Sequence, residues 1–152
     1  MAERRDTVQD ALRSAFYLLR YRDRSEREMR DRLALKGYSE PTVAVAVGKL
    51  AEAGFLDDRR LAENLKRLAS EQKQLGKHGV RAWLQGRGIR RDVIESVPDA
   101  ADEIAVAERL LEKKAGRMSA LDPETRKKRL WGLLSRRGFS SDTIRAVLSR
   151  RA

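Results

Sequence analysis

Gly54-Phe55-Leu56-Asp57-Asp58-Arg59-Arg60-Leu61-Ala62 reads as the end of one helical unit and the start of another. Gly54 can supply a left-handed residue just past a helix end. Phe55 and Leu56 offer apolar anchors, and Asp57 or Asp58 can accept the free N–H groups of a new helix. Adjacent residues on a helix do not face the same way, and carboxylates at a helix start are already favoured by the macrodipole. The two aspartates are therefore read as caps and not as a paired catalytic or metal-binding set.

Upstream of this joint, Val8, Leu12, Ala15, Phe16 and Leu19 recur at spacings of three and four, one face of a first helix that extends toward Tyr21. Ser25 followed by Glu28 is a capping box that opens a second helix. Met29 and Leu33 lie inward on it, and Gly37 closes it with Tyr38 packing back across the end. Ser39 or Glu40 before Pro41 starts a third helix, with Val43, Val47 and Leu50 as its inward face. Downstream, Leu61, Leu65, Leu68 and Leu75 mark a long fourth helix broken near Gly76. Pro98 ends a sixth, and Ile104, Ala107, Leu111 and Ala115 outline a seventh that stops near Gly116. Asp122-Pro123 opens an eighth, and Ser140 or Ser141 a ninth.

One frame occurs three times. Met29, Leu33, Gly37, Tyr38 and Val43 share their spacing with Val80, Leu84, Gly88, Ile89 and Ile94, and again with Leu130, Leu134, Gly138, Phe139 and Ile144. The period is 51 and then 50 residues, the signature of a repeat architecture. The expected fold is all-α, with three tandem three-helix repeats at residues 1–55, 56–98 and 99–152. A unit of about 50 residues buries little surface alone. Stacking the three into an elongated, curved solenoid-like array is the expected remedy.

The chemistry the chain can carry is narrow. It has no Cys and a single His, His78, so neither thiolate chemistry nor a histidine-based metal site is expected, and no cofactor either. A nucleophile, a base and an orienting group cannot be assembled. Gly76-Lys77-His78-Gly79 lacks the preceding strand and the spacing of a phosphate-binding loop. No apolar run approaches the roughly 20 residues of a membrane span. At the N-terminus, Glu3 and Asp6 stand among Arg4 and Arg5, without a signal peptide's apolar core. A cytoplasmic protein that is not an enzyme is expected.

Charge is more informative. Among 152 residues, 34 are Lys or Arg and 23 are Asp or Glu, a formal net charge of +11 that favours polyanionic partners. Residues 1–55 carry 11 basic and 9 acidic groups, residues 56–100 carry 10 and 7, and residues 101–152 carry 13 and 7, so the excess rises toward the C-terminus. Arg126, Lys127, Lys128 and Arg129, then Arg136 and Arg137, lie on or beside the eighth helix, with no acidic residue from 126 to 137. Four consecutive charges point all round a helix, so part of this run is plain solvation. Lys77, Arg81, Arg87, Arg90 and Arg91 surround the equivalent helix of the second repeat. In the first repeat Arg24 and Arg27 are interleaved with Asp23, Glu26 and Glu28, a mixed face suited to a protein partner as well as to a phosphate chain. Trp83 and Trp131 read as packing residues, with base stacking as the alternative.

The stretches Arg22-Asp23-Arg24-Ser25-Glu26 through Met29 and Leu33, Gly54-Phe55-Leu56-Asp57-Asp58 with Leu61-Ala62, and Gly76 through Val80 and Leu84 to Gly88-Ile89 resemble the RecX regulatory proteins. The resemblance spans residues 11–148. The frame from Leu130 to Phe139 matches more loosely, and the family often has an aromatic where Leu61 stands and a Gly-Pro pair at Gly76-Lys77. The resemblance implies a tandem three-helix-repeat fold and a non-enzymatic regulator of the bacterial recombinase RecA. Such a protein binds RecA assembled on single-stranded DNA, lies along the filament groove and restrains strand exchange, ATP hydrolysis and the coprotease activity that triggers the SOS response. Its expected partners are the RecA filament and single-stranded DNA, with double-stranded DNA left open, and it is expected to be a monomer when free. The rival reading is a stand-alone helix-turn-helix-like DNA-binding regulator, since two helices joined by a Gly-containing turn also describe that motif.

Overall fold

The computed structural model describes residues 5–150, so Glu3 and Arg4 of the N-terminal reading lie outside the described residues. Within that range the chain forms nine α-helices and no strand. They are α1 (Val8–Leu19), α2 (Glu26–Leu35), α3 (Glu40–Glu52), α4 (Asp58–Leu68), α5 (Lys77–Gly86), α6 (Arg91–Ser96), α7 (Glu103–Ala115), α8 (Pro123–Arg136) and α9 (Ser141–Ser149).

Local chemistry explains most of the helix starts. Thr7 Oγ1 accepts the Asp10 N–H at 3.2 Å, and Asp57 Oδ1 accepts the Arg60 N–H at 3.1 Å. The Ser25–Glu28 capping box closes in both directions, at 3.1 and 3.0 Å. Asp122 and Ser140 cap α8 and α9 through the N–H groups of Thr125 and Thr143, at 2.8 and 3.3 Å. At α3 the cap position falls on Ser39 with Pro41 in the first turn, but the Ser39 hydroxyl donates to Thr42 Oγ1 instead of accepting from the backbone. Gly37, Gly54, Gly88 and Gly138 end their helices with φ of 98°, 83°, 85° and 82°, the left-handed conformation that closes a helix.

The chain divides into two compact units. The first takes the residues up to Ala62 together with Gln85–Ser96, and the second takes Glu63–Leu84 together with the residues from Val97 onward. The core of the first unit joins Ala11, Ala15 and Leu18 of α1 to Met29 and Leu33 of α2 and to Val43, Val47 and Leu50 of α3, with Tyr38 and Leu56 added from the turns. Tyr38 buries its ring and places its hydroxyl 2.8 Å from Ser14 Oγ and 3.1 Å from the Asp10 carbonyl. In the second unit Val106, Leu110 and Leu111 of α7 pack with Leu130 and Leu134 of α8, Phe139, and Ile144 and Val147 of α9.

Three local expectations change. Phe16 does not belong to the inward face of α1: it is 41% exposed, while Ala15 faces the core as expected, joined by Ala11 and Leu18, with Leu12 and Leu19 partly buried against it. Phe55 is likewise no buried anchor, at 54% exposed, whereas Leu56 is buried. The fourth helix also ends before Gly76. After Leu68 the chain widens into a π-type turn over Ala69–Lys73, and Gln74 adopts the left-handed conformation at φ 46° and ψ 63°. Such a conformation is costly outside glycine. Gln74 is buried, its side-chain amide donates to the Glu71 carbonyl at 3.1 Å, and the Leu75 N–H donates to the Ala69 carbonyl at 3.0 Å.

Candidate functional site

In the first unit the beginning of α2 meets the Gly54–Ala62 joint. Asp57 caps α4, as its position in sequence suggests, but Asp58 does something else: its Oδ1 accepts the Glu26 N–H at 3.0 Å. The second aspartate thus caps α2, a helix 32 residues earlier in the chain. Arg87 completes the junction. Its carbonyl accepts the Ser25 hydroxyl at 2.5 Å, its Nε donates to Glu28 Oε2 at 2.9 Å, and its Nη2 donates to the Asp23 carbonyl at 3.0 Å. Burial opposes ionisation of Glu28, but the Arg87 bond, the Ser25 N–H and the charges of Arg87 and Arg22 together outweigh it, and the carboxyl is held below its ordinary value. Asp58 shifts the other way. Burial pushes it up, and the Glu26 N–H offsets only part of that.

The second unit carries the same junction at equivalent positions of the frame. Glu103 Oε2 accepts the Lys77 N–H at 2.6 Å, at the start of α5. Its Oε1 accepts the Ser140 hydroxyl at 2.8 Å and the Ser140 N–H at 3.2 Å, at the start of α9. The Arg137 carbonyl accepts the Gly76 N–H at 2.9 Å, and the Arg137 guanidinium donates to the Lys73 carbonyl, as Arg87 does to Asp23. Gly76-Lys77-His78-Gly79 is therefore a backbone contact segment. A Cβ on Gly76 would collide with the backbone of Phe139, one on Gly79 with the Arg137 carbonyl, and one on Gly138 with the backbone of Gly79. This role accounts for glycines that resemble a phosphate loop without its spacing.

At the first junction a cavity of about 40 Å³ is lined by Asp23, Arg24, Gly54, Phe55, Asp57, Arg60 and Leu61. Arg24 is only 7% exposed, and its Nε is enclosed with no hydrogen-bond partner among the described residues. Burial depresses its guanidinium first, reinforced by the positive charges of Arg22 and Arg32 and eased by Glu28. Phe55, on the cavity rim, meets Phe16 edge-on with ring centres 4.9 Å apart.

The remaining basic residues singled out from the sequence fall into two groups. Arg24, Arg87 and Arg137 are built into the fold. Arg27, Arg90 and Arg91 of the first unit are exposed, the last two paired with Asp92 and Glu95 at 2.8 and 2.9 Å. In the second unit Lys77, Lys127, Lys128 and Arg136 are exposed, while Arg81 and Arg126 are half-buried. His78 is exposed, and its N–H donates to the Gly138 carbonyl at 3.0 Å. Trp131 packs against the core of its unit, and Trp83 is half-buried with Lys73 Nζ 4.8 Å from its ring centre. Among the described residues, no group of three or more His, Asp or Glu could hold a metal ion, and no helix is long and apolar enough to cross a membrane.

Residues 11–50 match the first three-helix domain of RecX, and residues 101–148 match its third three-helix domain. The chain is 34% identical over 145 residues to the regulatory protein RecX of Stenotrophomonas maltophilia, covering 94% of this chain and 88% of the relative. It is 30% identical over 138 residues to that of Pelodictyon phaeoclathratiforme, covering 91% and 86%. The chain belongs to the RecX family of regulatory proteins. Its fold is also that of the RecX crystal structure from Lactobacillus salivarius, with a TM-score of 0.83 over 94% of this chain and 95% of that one at 21% identity. The two stretches that carry the RecX resemblance most plainly, 22–33 and 54–62, are the ones that the Asp58–Glu26 bond ties together and that line the Arg24 cavity.

Proposed function

We propose that this RecX protein binds RecA filaments assembled on single-stranded DNA and restrains the recombinase, ATPase and coprotease activities of RecA, thereby acting in DNA repair, recombination and the SOS response. The observation that carries the reading is family membership together with an uneven basic surface. Lys127, Lys128 and Arg136 stand exposed on a helix whose run from 126 to 137 holds no carboxylate. In this reading the basic groups of the second and third repeats reach phosphate or acidic protein surface, and the mixed face of the first repeat meets RecA. The tandem repeats at 1–55, 56–98 and 99–152 let one chain touch several places along a filament. The protein works in the cytoplasm as a binder with no catalysis of its own and is a monomer when free.

Binding to preassembled RecA filaments on an oligonucleotide, compared with binding to duplex DNA alone, tests the reading. Preference for the filament is expected. Tight, sequence-selective duplex binding without RecA would point instead to a stand-alone DNA-binding regulator.

A further inference from the structure

Four observations converge on the first junction. Arg24 is nine-tenths buried beside a cavity, and its Nε has no hydrogen-bond partner among the described residues. A buried cation is normally paired, because leaving it unpaired is strongly destabilising. Its neighbours Arg22, Arg32 and Arg87 repel it, and Glu28 attracts it. The cavity also opens beside an exposed aromatic pair, Phe16 and Phe55, at 41% and 54% exposure.

Buried polar groups without partners point to ligands, and exposed aromatic clusters rimmed by arginine are where protein partners anchor. The geometry points to a docking site in which Arg24 receives the carboxylate of an acidic side chain on a protein partner while Phe16 and Phe55 pack against an apolar neighbour of that residue. Charge complementarity selects protein over nucleic acid here. Asp23 and Asp57 line the same cavity as Arg24 and Arg60. A protein partner can offer Arg24 a single carboxylate, whereas a phosphate chain would bring a row of charges past both aspartates. The inference rests on the reading of the protein as a filament binder and locates the face that touches the filament's protein subunits.

The test uses the full chain and two variants, Arg24→Met and Phe55→Ala, with RecA filaments on an oligonucleotide and the same oligonucleotide bare as probes. Arg24→Met removes an unpaired buried charge, so its denaturation midpoint should match or exceed that of the wild type. Phe55→Ala changes an exposed ring and keeps the test informative should the first variant fold poorly. The expected result is at least a tenfold loss of filament affinity in each variant, with binding to the bare oligonucleotide unchanged. Unchanged filament affinity in the variants would overturn the site, as would an equal loss on bare DNA. Failure of the wild type to bind filaments would instead remove the underlying reading.

Discussion

The Lys77 backbone N–H donates to Glu103 Oε2 at 2.6 Å, so one buried carboxylate on α7 holds the start of α5 while its other oxygen holds the start of α9 through Ser140. Replacing Glu103 with Ala strips acceptors from two helix starts at once. Hydrogen bonds to a charged group contribute about 1.5–3 kcal/mol each, and a lost cap costs about 1 kcal/mol. Glu103→Ala should therefore lower unfolding free energy by about 3 kcal/mol, measured by urea denaturation at neutral pH.

The same residue sets an acid dependence. Burial works to raise the Glu103 carboxyl, but bonds from Thr143, the Lys77 N–H and Ser140 outweigh it, leaving the group below its ordinary 4.5. The native state then binds fewer protons than the unfolded chain, so this contribution is complete above pH 4.5 and is lost as the pH falls through the folded value. Glu28 acts in the same direction. Asp58, raised above 3.8, acts against folding at neutral pH, and that cost is relieved on acidification. Glu103→Gln should consequently flatten the fall in stability between about pH 5 and pH 3, its curve approaching that of the wild type at the acid end. Parallel curves would show that Glu103 is not the titrating group.

Gly37 and Gly138 occupy equivalent places in the repeated frame with φ of 98° and 82°, yet their surroundings differ. A Cβ at Gly37 meets nothing within 4 Å, whereas at Gly138 it would collide with the Gly79 backbone. Gly37→Ala should cost about 1–2 kcal/mol, the strain of a left-handed L-residue. Gly138→Ala should cost about 2 kcal/mol more, since overpacking against backbone adds to that strain. Thermal melts of the two variants compare these costs directly.

Arg87 and the basic residues of α8 should separate stability from binding. Arg87 is largely enclosed and bonded to Glu28 and Asp23, so Arg87→Gln should lower stability by about 2 kcal/mol and leave the salt dependence of DNA binding as it was. Replacing Lys127, Lys128 and Arg136 with Gln should do the reverse. For every single-strand phosphate that a variant no longer neutralises, the slope of log affinity against log salt becomes shallower by about 0.7. Oligonucleotide titrations at several salt concentrations, beside denaturation curves, read out both quantities.

Much of the fold is legible locally. The capping box at Ser25 and Glu28, the caps at Asp57, Asp122 and Ser140, and the left-handed glycines at 37, 54, 88 and 138 all obey rules that reach no further than a helix end. The relations at the candidate site do not. Asp58 serves a helix start 32 residues away and Glu103 one 26 residues away, and neither pairing leaves a periodicity to detect. Arg24 reads as a surface charge because arginine is usually exposed, and only tertiary packing encloses it. Phe16 is exposed although it stands at helical spacing, and Phe55 is exposed where an apolar anchor is expected, because residue type and spacing do not say what covers a side chain. The break before Gly76 is fixed by the buried, left-handed Gln74, a conformation that glutamine's type gives no reason to expect.

The most direct test of the central claim is the rate of DNA-dependent ATP hydrolysis by RecA with this protein added at substoichiometric ratios. The proposed filament-restraining role predicts a reduced ATPase rate. An ATPase rate unchanged even at equimolar protein, under conditions where filaments form, would contradict the account.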